Sequence, residues 1–263
     1  MGRTTSITAG AALLAATLTL TACGGDGDKK AEAKATVDAA KSSAPSGGEN
    51  AAKSPAELVT TSLNRFKSAK SVRLTVDYRD EGKPVHIDFR LGVDQADGTM
   101  QGSFGSQNAT TKLRSVGGKL YMSGDASFWG NLTGDNAMGQ KLGGKWVAVP
   151  VGEVKEFKAF LGIRQFDQEI FAQLRKTFPA ASGGLVSSRT DVKGVPAVGI
   201  AGPGGKEALV FVAASGAPDL LRFRSSESIG DMPKGEFDFS EYDAPLQIQA
   251  PTDVIDLGKE MGK

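Results

Sequence analysis

Residues 72–93 read VRLTVDYRDEGKPVHIDFRLGV, and this stretch decides the fold class. Val72, Leu74, Val76 and Tyr78 alternate with Arg73, Thr75, Asp77 and Arg79. After Glu81-Gly82-Lys83, Val85, Ile87, Phe89, Leu91 and Val93 alternate with His86, Asp88 and Arg90. A period of two with one apolar and one polar side marks antiparallel strands with a dry and a wet face, and the break at Gly82 reads as their turn. The rhythm continues through 100–104, 110–116 and, past Gly117-Gly118, 119–122. It resumes at 185–191, 195–201, 207–213, 220–226 and 236–242.

Helical signals interrupt and precede these strands. Ser54-Pro55-Ala56-Glu57 combines an N-cap, a first-turn proline and a capping-box glutamate, and Leu58, Val59, Ser62, Leu63 and Phe66 follow at helical spacing to about Lys70. Residues 125–132 and 154–178 break the alternation. In the second, Phe166, Ile170, Leu174 and Phe178 step by four, giving a helix with one heavily apolar face. Strands, helices, then strands again predict an α+β domain over 54–263: a long, curved antiparallel sheet with helices against its dry face.

Outward from the domain, the N-terminus carries an address. Arg3 and the 14-residue uncharged run from Ile7 to Leu20 suit a secretory signal and fall short of the ~20 residues a membrane-spanning helix needs. The run ends in Leu20-Thr21-Ala22-Cys23-Gly24, which resembles the bacterial lipoprotein signal motif, the lipobox. That resemblance implies a signal peptide over 1–22 and an acylated Cys23 anchoring the chain at the extracytoplasmic face of the cell membrane. Residues 24–53 hold five lysines, five acids, no aromatic residue and only Val37 as a larger aliphatic. Such a stretch reads as a disordered polar tether between Cys23 and the domain, with a reach of roughly 30 Å.

Composition removes several functions. Thirty-one basic residues stand against thirty acidic ones, so nothing in the charge balance calls for nucleic acid. A single cysteine rules out intrachain disulfides and thiolate metal clusters, and a single histidine, His86, rules out multi-histidine metal sites. Gly139 to Lys145 matches the opening of a phosphate-binding loop, but Trp146 stands where Ser or Thr is needed, so the segment reads as a turn. His86 beside Asp88, and the acids Asp238 and Glu241 on a solvated strand face, give no nucleophile–base arrangement. The expectation is a non-enzyme with neither cofactor nor metal. A hydrolase would need a perturbed carboxylate in a cleft.

Three segments together resemble the lipid-binding lipoproteins of actinobacteria of the LppX/LprA/LprF/LprG type, relatives of the LolA/LolB-like fold. They are Gly117 to Trp129 with Lys145-Trp-Val-Ala-Val-Pro150, Val195-Pro-Ala-Val to Phe211–Leu221, and Tyr242 to Pro251 continuing to Leu257. The resemblance implies a half-open barrel around central helices, with an apolar cavity that holds the acyl chains of a lipid or lipid-linked glycan. Read from the alternation, the cavity candidates are Leu74, Val76, Ile87, Phe89 and Phe104 on strands and Phe160, Phe171 and Leu174 on helices. Periodicity does not separate a lined cavity from a solid core at these positions. A filled core would leave the second reading: an envelope lipoprotein of the same fold serving as an interaction or sensing module without lipid cargo.

Overall fold

The computed structural model describes residues 48–263 apart from 81, 105–106, 154, 178–183, 206–208, 226–233, 261 and 263. Twelve strands form one curved, unclosed sheet, antiparallel except at one edge. Two meanders build it. The first comprises β1 (Ser71–Asp80), β2 (Lys83–Gly92), β3 (Ala96–Phe104), β4 (Gln107–Val116), β5 (Lys119–Ser123) and β6 (Val147–Val149). The second comprises β7 (Val186–Val192), β8 (Val195–Ala201), β9 (Val210–Ala213), β10 (Leu220–Ser225) and β11 (Gly235–Ser240). Pairing of β1 with β11, Leu74 opposite Phe239 and Val76 opposite Phe237, joins them into a continuous sheet. The two-residue strand β12 (Ile255–Asp256), absent from the sequence reading, adds the parallel edge against β6.

Local chemistry sets the breaks. Gly117 and Gly118 both take positive φ (61° and 73°), the two-residue hairpin geometry that suits glycine and matches the strand twist. Helix α1 (Pro55–Ser68) begins as expected: the Ser54 hydroxyl accepts the Glu57 N–H at 3.3 Å, and Leu58, Val59, Leu63 and Phe66 are buried. Asp125 caps α2 (Ala126–Thr133), and Asp135 caps α3 (Asn136–Leu142) through the N–H groups of Ala137 and Met138. The turn expected at Gly139–Lys145 is therefore half wrong, since Gly139–Leu142 completes α3. Gly139 is needed there because a Cβ would lie 2.4 Å from the Ala126 carbonyl oxygen on α2.

The long helix expected over 154–178 is segmented. A 3-10 stretch (Lys155–Leu161) ends at Gly162, and α4 (Ile163–Phe166) runs through a π-turn (Asp167–Phe171) into α5 (Ala172–Thr177). The π-turn inserts a residue, so Phe166 and Phe171, five apart, both become fully buried while Ile170 is only partly so. Phe178 lies outside the described residues. Phe66 of α1 is central: its ring lies 5.6, 4.7 and 5.5 Å from those of Phe166, Phe171 and Phe239. Such pairs contribute about 0.5–1.5 kcal/mol each beyond area burial. They lock the helices to the inward face of the sheet.

Two expectations at the margins change. The tether was to run to residue 53, but residues 48–53 are folded: Asn50 is fully buried and its Nδ2 donates to the Ala213 carbonyl at 2.9 Å. Asp238 lies on the outward polar face beside the exposed Asp77, but its own side chain is buried between Arg222 and Lys193. Burial pushes its carboxyl up, but hydrogen bonds from Arg222 and Lys193 outweigh this and hold it below the ordinary range. Glu241 leaves the strand at φ 51° and pairs with Arg73 at 2.8 Å.

Candidate functional site

Register sorts the inward face of the sheet into lateral rows. One row is full: Phe223, Phe237, Val76, Ile87, Met100 and Thr111 sit opposite one another across six strands. The next row toward the β1–β2 turn is nearly empty. It reads Ser225, Gly235, Tyr78, Val85, Gly102 and Ala109, so two positions lack a side chain and two more carry very little. Gly102 sits beside Val85, where a Cβ would meet Val85 Cγ2 at 3.1 Å, and at Gly235 a Cβ would meet the Asp77 carbonyl oxygen at 2.6 Å. Gly235 is thus fixed by the close approach of β1.

A cleft of about 730 Å³ opens along this row. All six residues line it, together with Asp77, Arg79, Pro84, His86, Gln101, Thr110 and Lys234 of the adjoining backbone and rim. The volume falls within the range of small-molecule sites. Val85, Ala109, Gly102 and Ser225 are buried and Tyr78 is half-buried, and burial pushes the Tyr78 phenol up, aided by the Asp80 charge. The phenol therefore stays neutral near pH 7. The rim is charged: His86 Nδ1 lies 2.7 Å from Asp77 Oδ1, and Arg79 donates to the Gly82 carbonyl at 2.8 Å. An apolar floor under a polar lip suits a molecule with an apolar body and a polar end.

The sequence candidates lie deeper. Leu74, Val76, Ile87, Phe89, Phe171 and Leu174 are between 0% and 2% exposed, and Phe160 is partly buried with its ring stacked 5.3 Å from Phe89. These seven pack into one core with Phe66, Phe166 and Phe239, and none of them lines the cleft. Phe104 ends β3 opposite Gln107, and its side chain lies outside the described residues, as does Cys23. Alternation had singled out Tyr78 and Val85 as inward-facing. It missed Gly102, Ala109, Ser225 and Gly235, because small residues carry no apolar signal and their shared row depends on cross-strand register. Within the full row, the buried Thr111 hydroxyl has no hydrogen-bond partner among the described residues.

Other chemistry is sparse. Among the described residues no group of three or more His, Cys, Asp or Glu side chains is placed to hold a metal ion, and no helix is long and apolar enough to cross a membrane. Asp219, whose carboxyl burial pushes up against the opposing pull of Arg65, faces Arg65 Nε at 2.9 Å and lies away from the cleft lining.

No protein-family model matches the chain, and no curated protein matches it in sequence. Among solved structures, the chain is similar to the crystal structure of LprF from Mycobacterium bovis, with 14% sequence identity, a TM-score of 0.49, and coverage of 75% of this chain and 96% of that one.

Proposed function

We propose that this chain is a membrane-anchored, extracytoplasmic carrier that shelters the acyl chains of a lipid or lipid-linked glycan, with the cleft at the Tyr78–Val85–Ala109 row as the binding site. One observation carries the reading: four of the six positions in one row of the sheet's inward face are Gly, Ala or Ser, beside a full row led by Phe223, Phe237 and Ile87, and a 730 Å³ cleft opens along them. Burial in such a hollow contributes about 0.8 kcal/mol per methylene, so eight sheltered methylenes supply roughly 6 kcal/mol without a charged contact. No catalytic group, cofactor or metal enters this account. The lipobox-like Leu20-Thr-Ala-Cys-Gly24 supports the anchor, because the only cysteine of the chain stands where acylation requires it.

The seven packed core candidates favour the alternative of an interaction module without cargo. Titrating the purified chain with an environment-sensitive fluorescent fatty acid separates the two. The carrier reading expects saturable binding that unlabelled acyl lipid competes away. Fluorescence that rises without saturation, or is insensitive to competitor, would leave the interaction module.

A further inference from the structure

The two edges of the sheet are built differently. One ends in β12, two residues long and followed directly by the short helix α6 (Leu257–Glu260). The other ends in β7, whose seven residues VSSRTDV contain no proline or glycine and pair with β8 without a bulge. All of them but Val192 are exposed, Val186 at 59%. Among the described residues β7 pairs with β8 alone, so its far side presents a regular row of backbone donors and acceptors.

The hairpin geometry fixes which groups those are. Val192 and Val195 close the two-residue turn Lys193-Gly194, and alternation along the ladder turns the N–H and C=O of Ser187, Arg189 and Asp191 to the free edge. Pro196 agrees: it sits opposite Asp191, has no N–H to give, and its carbonyl accepts from Ala214 N–H at 2.9 Å on the opposite side. Arg189 and Asp191 are exposed and two apart, so they share one face of β7. For this pair no ion pair forms within the described residues, and Asp191 Oδ1 accepts only the Gly194 N–H at 3.2 Å.

Charges of this kind on an edge strand repel most intruding strands, which would leave them opposite nothing. A second copy of this chain meets them differently. Antiparallel pairing centred on Thr190 sets each Arg189 opposite the other copy's Asp191, twice, and joins the edge-facing backbone groups of those residues. Shifting the centre to Arg189 would set guanidinium against guanidinium. We infer that β7 is a homodimerisation edge, joining two copies into one continuous sheet across a two-fold axis at Thr190.

Sedimentation of the purified full chain in detergent tests this. At tens of micromolar the wild type is expected at twice the protomer mass. Arg189→Asp, which faces acid with acid, should weaken association at least tenfold, and Arg189→Asp combined with Asp191→Arg should restore it. Thr190→Cys under mild oxidant should give a covalent dimer whose disulfide maps to the two Thr190→Cys sites and not to Cys23. A wild type that sediments as a monomer throughout overturns the inference. So does a dimer indifferent to Arg189→Asp, or a charge-swapped double variant that stays monomeric while retaining wild-type circular dichroism.

Discussion

Replacing Ala109 with tryptophan places an indole on the stripped row without touching the packed core. Ala109 lines the cleft, so the added ring is expected to project into the open volume. If it displaces three or four methylenes of a bound chain, at about 0.8 kcal/mol each, affinity should fall by about 3 kcal/mol, or ~100-fold. The melting temperature should stay within about 2 °C of wild type. Val76→Trp is the matched control: Val76 is 1% exposed, opposite Phe237 and Ile87 in the full row. Overpacking there should cost roughly 1–3 kcal/mol or more, lowering the midpoint by about 3–10 °C for a domain of this size. Fluorescent fatty-acid titration and a thermal melt of each variant provide the readouts. Unchanged affinity in Ala109→Trp would refute the assignment of the cleft, and a Val76→Trp protein with a native melt would show that the interior is hollow where it is described as filled.

Three further outcomes follow from the same structure. Thr111→Val removes a buried hydroxyl that lacks a partner, and should raise stability by about 1 kcal/mol in urea unfolding; a loss would mean the hydroxyl is bonded. Asp238→Asn should cost about 2 kcal/mol at pH 7, because it takes the shared carboxylate from Arg222 and Lys193 and leaves Arg222 only Glu236 at 3.1 Å. The folded-state pKa of Asp238 is depressed, so its contribution is complete above the unfolded value near 4 and disappears as pH falls below it; the gap between wild type and Asp238→Asn should close in acid. A gap that does not narrow at all as pH falls would point to packing instead of charge. Cys23→Ala should move the protein from the membrane to soluble or unprocessed fractions, and unchanged membrane retention and mass would exclude acylation at that residue.

The strands were legible because 72–93 states its faces residue by residue, and α1 because Ser54-Pro55 and Glu57 begin it. What the sequence left open was long-range. Nothing local tells that β1 pairs with β11, 157–167 residues away, rather than forming an edge, yet that pairing brings Gly235 beside Tyr78 and completes the thinned row. The eight cavity candidates are apolar and inward-facing, which is also the description of a core, and the seven described ones pack into the core. The cleft is defined by missing atoms at Gly102, Ala109, Ser225 and Gly235, and absence of side chains reads in sequence as turn or linker. The π-turn at Asp167–Phe171 was hidden for a related reason: Phe166, Ile170 and Leu174 fit period four, while the buried set follows five and then three.

Mass spectrometry of organic extracts reads out whether the cleft holds acyl chains. The full chain would be purified from a bacterial membrane alongside Ala109→Trp and an unrelated lipoprotein of similar size. A near-stoichiometric acyl lipid is expected in the wild-type extract, beyond the covalent anchor, with its depletion in Ala109→Trp. Equal lipid in all three samples would contradict it.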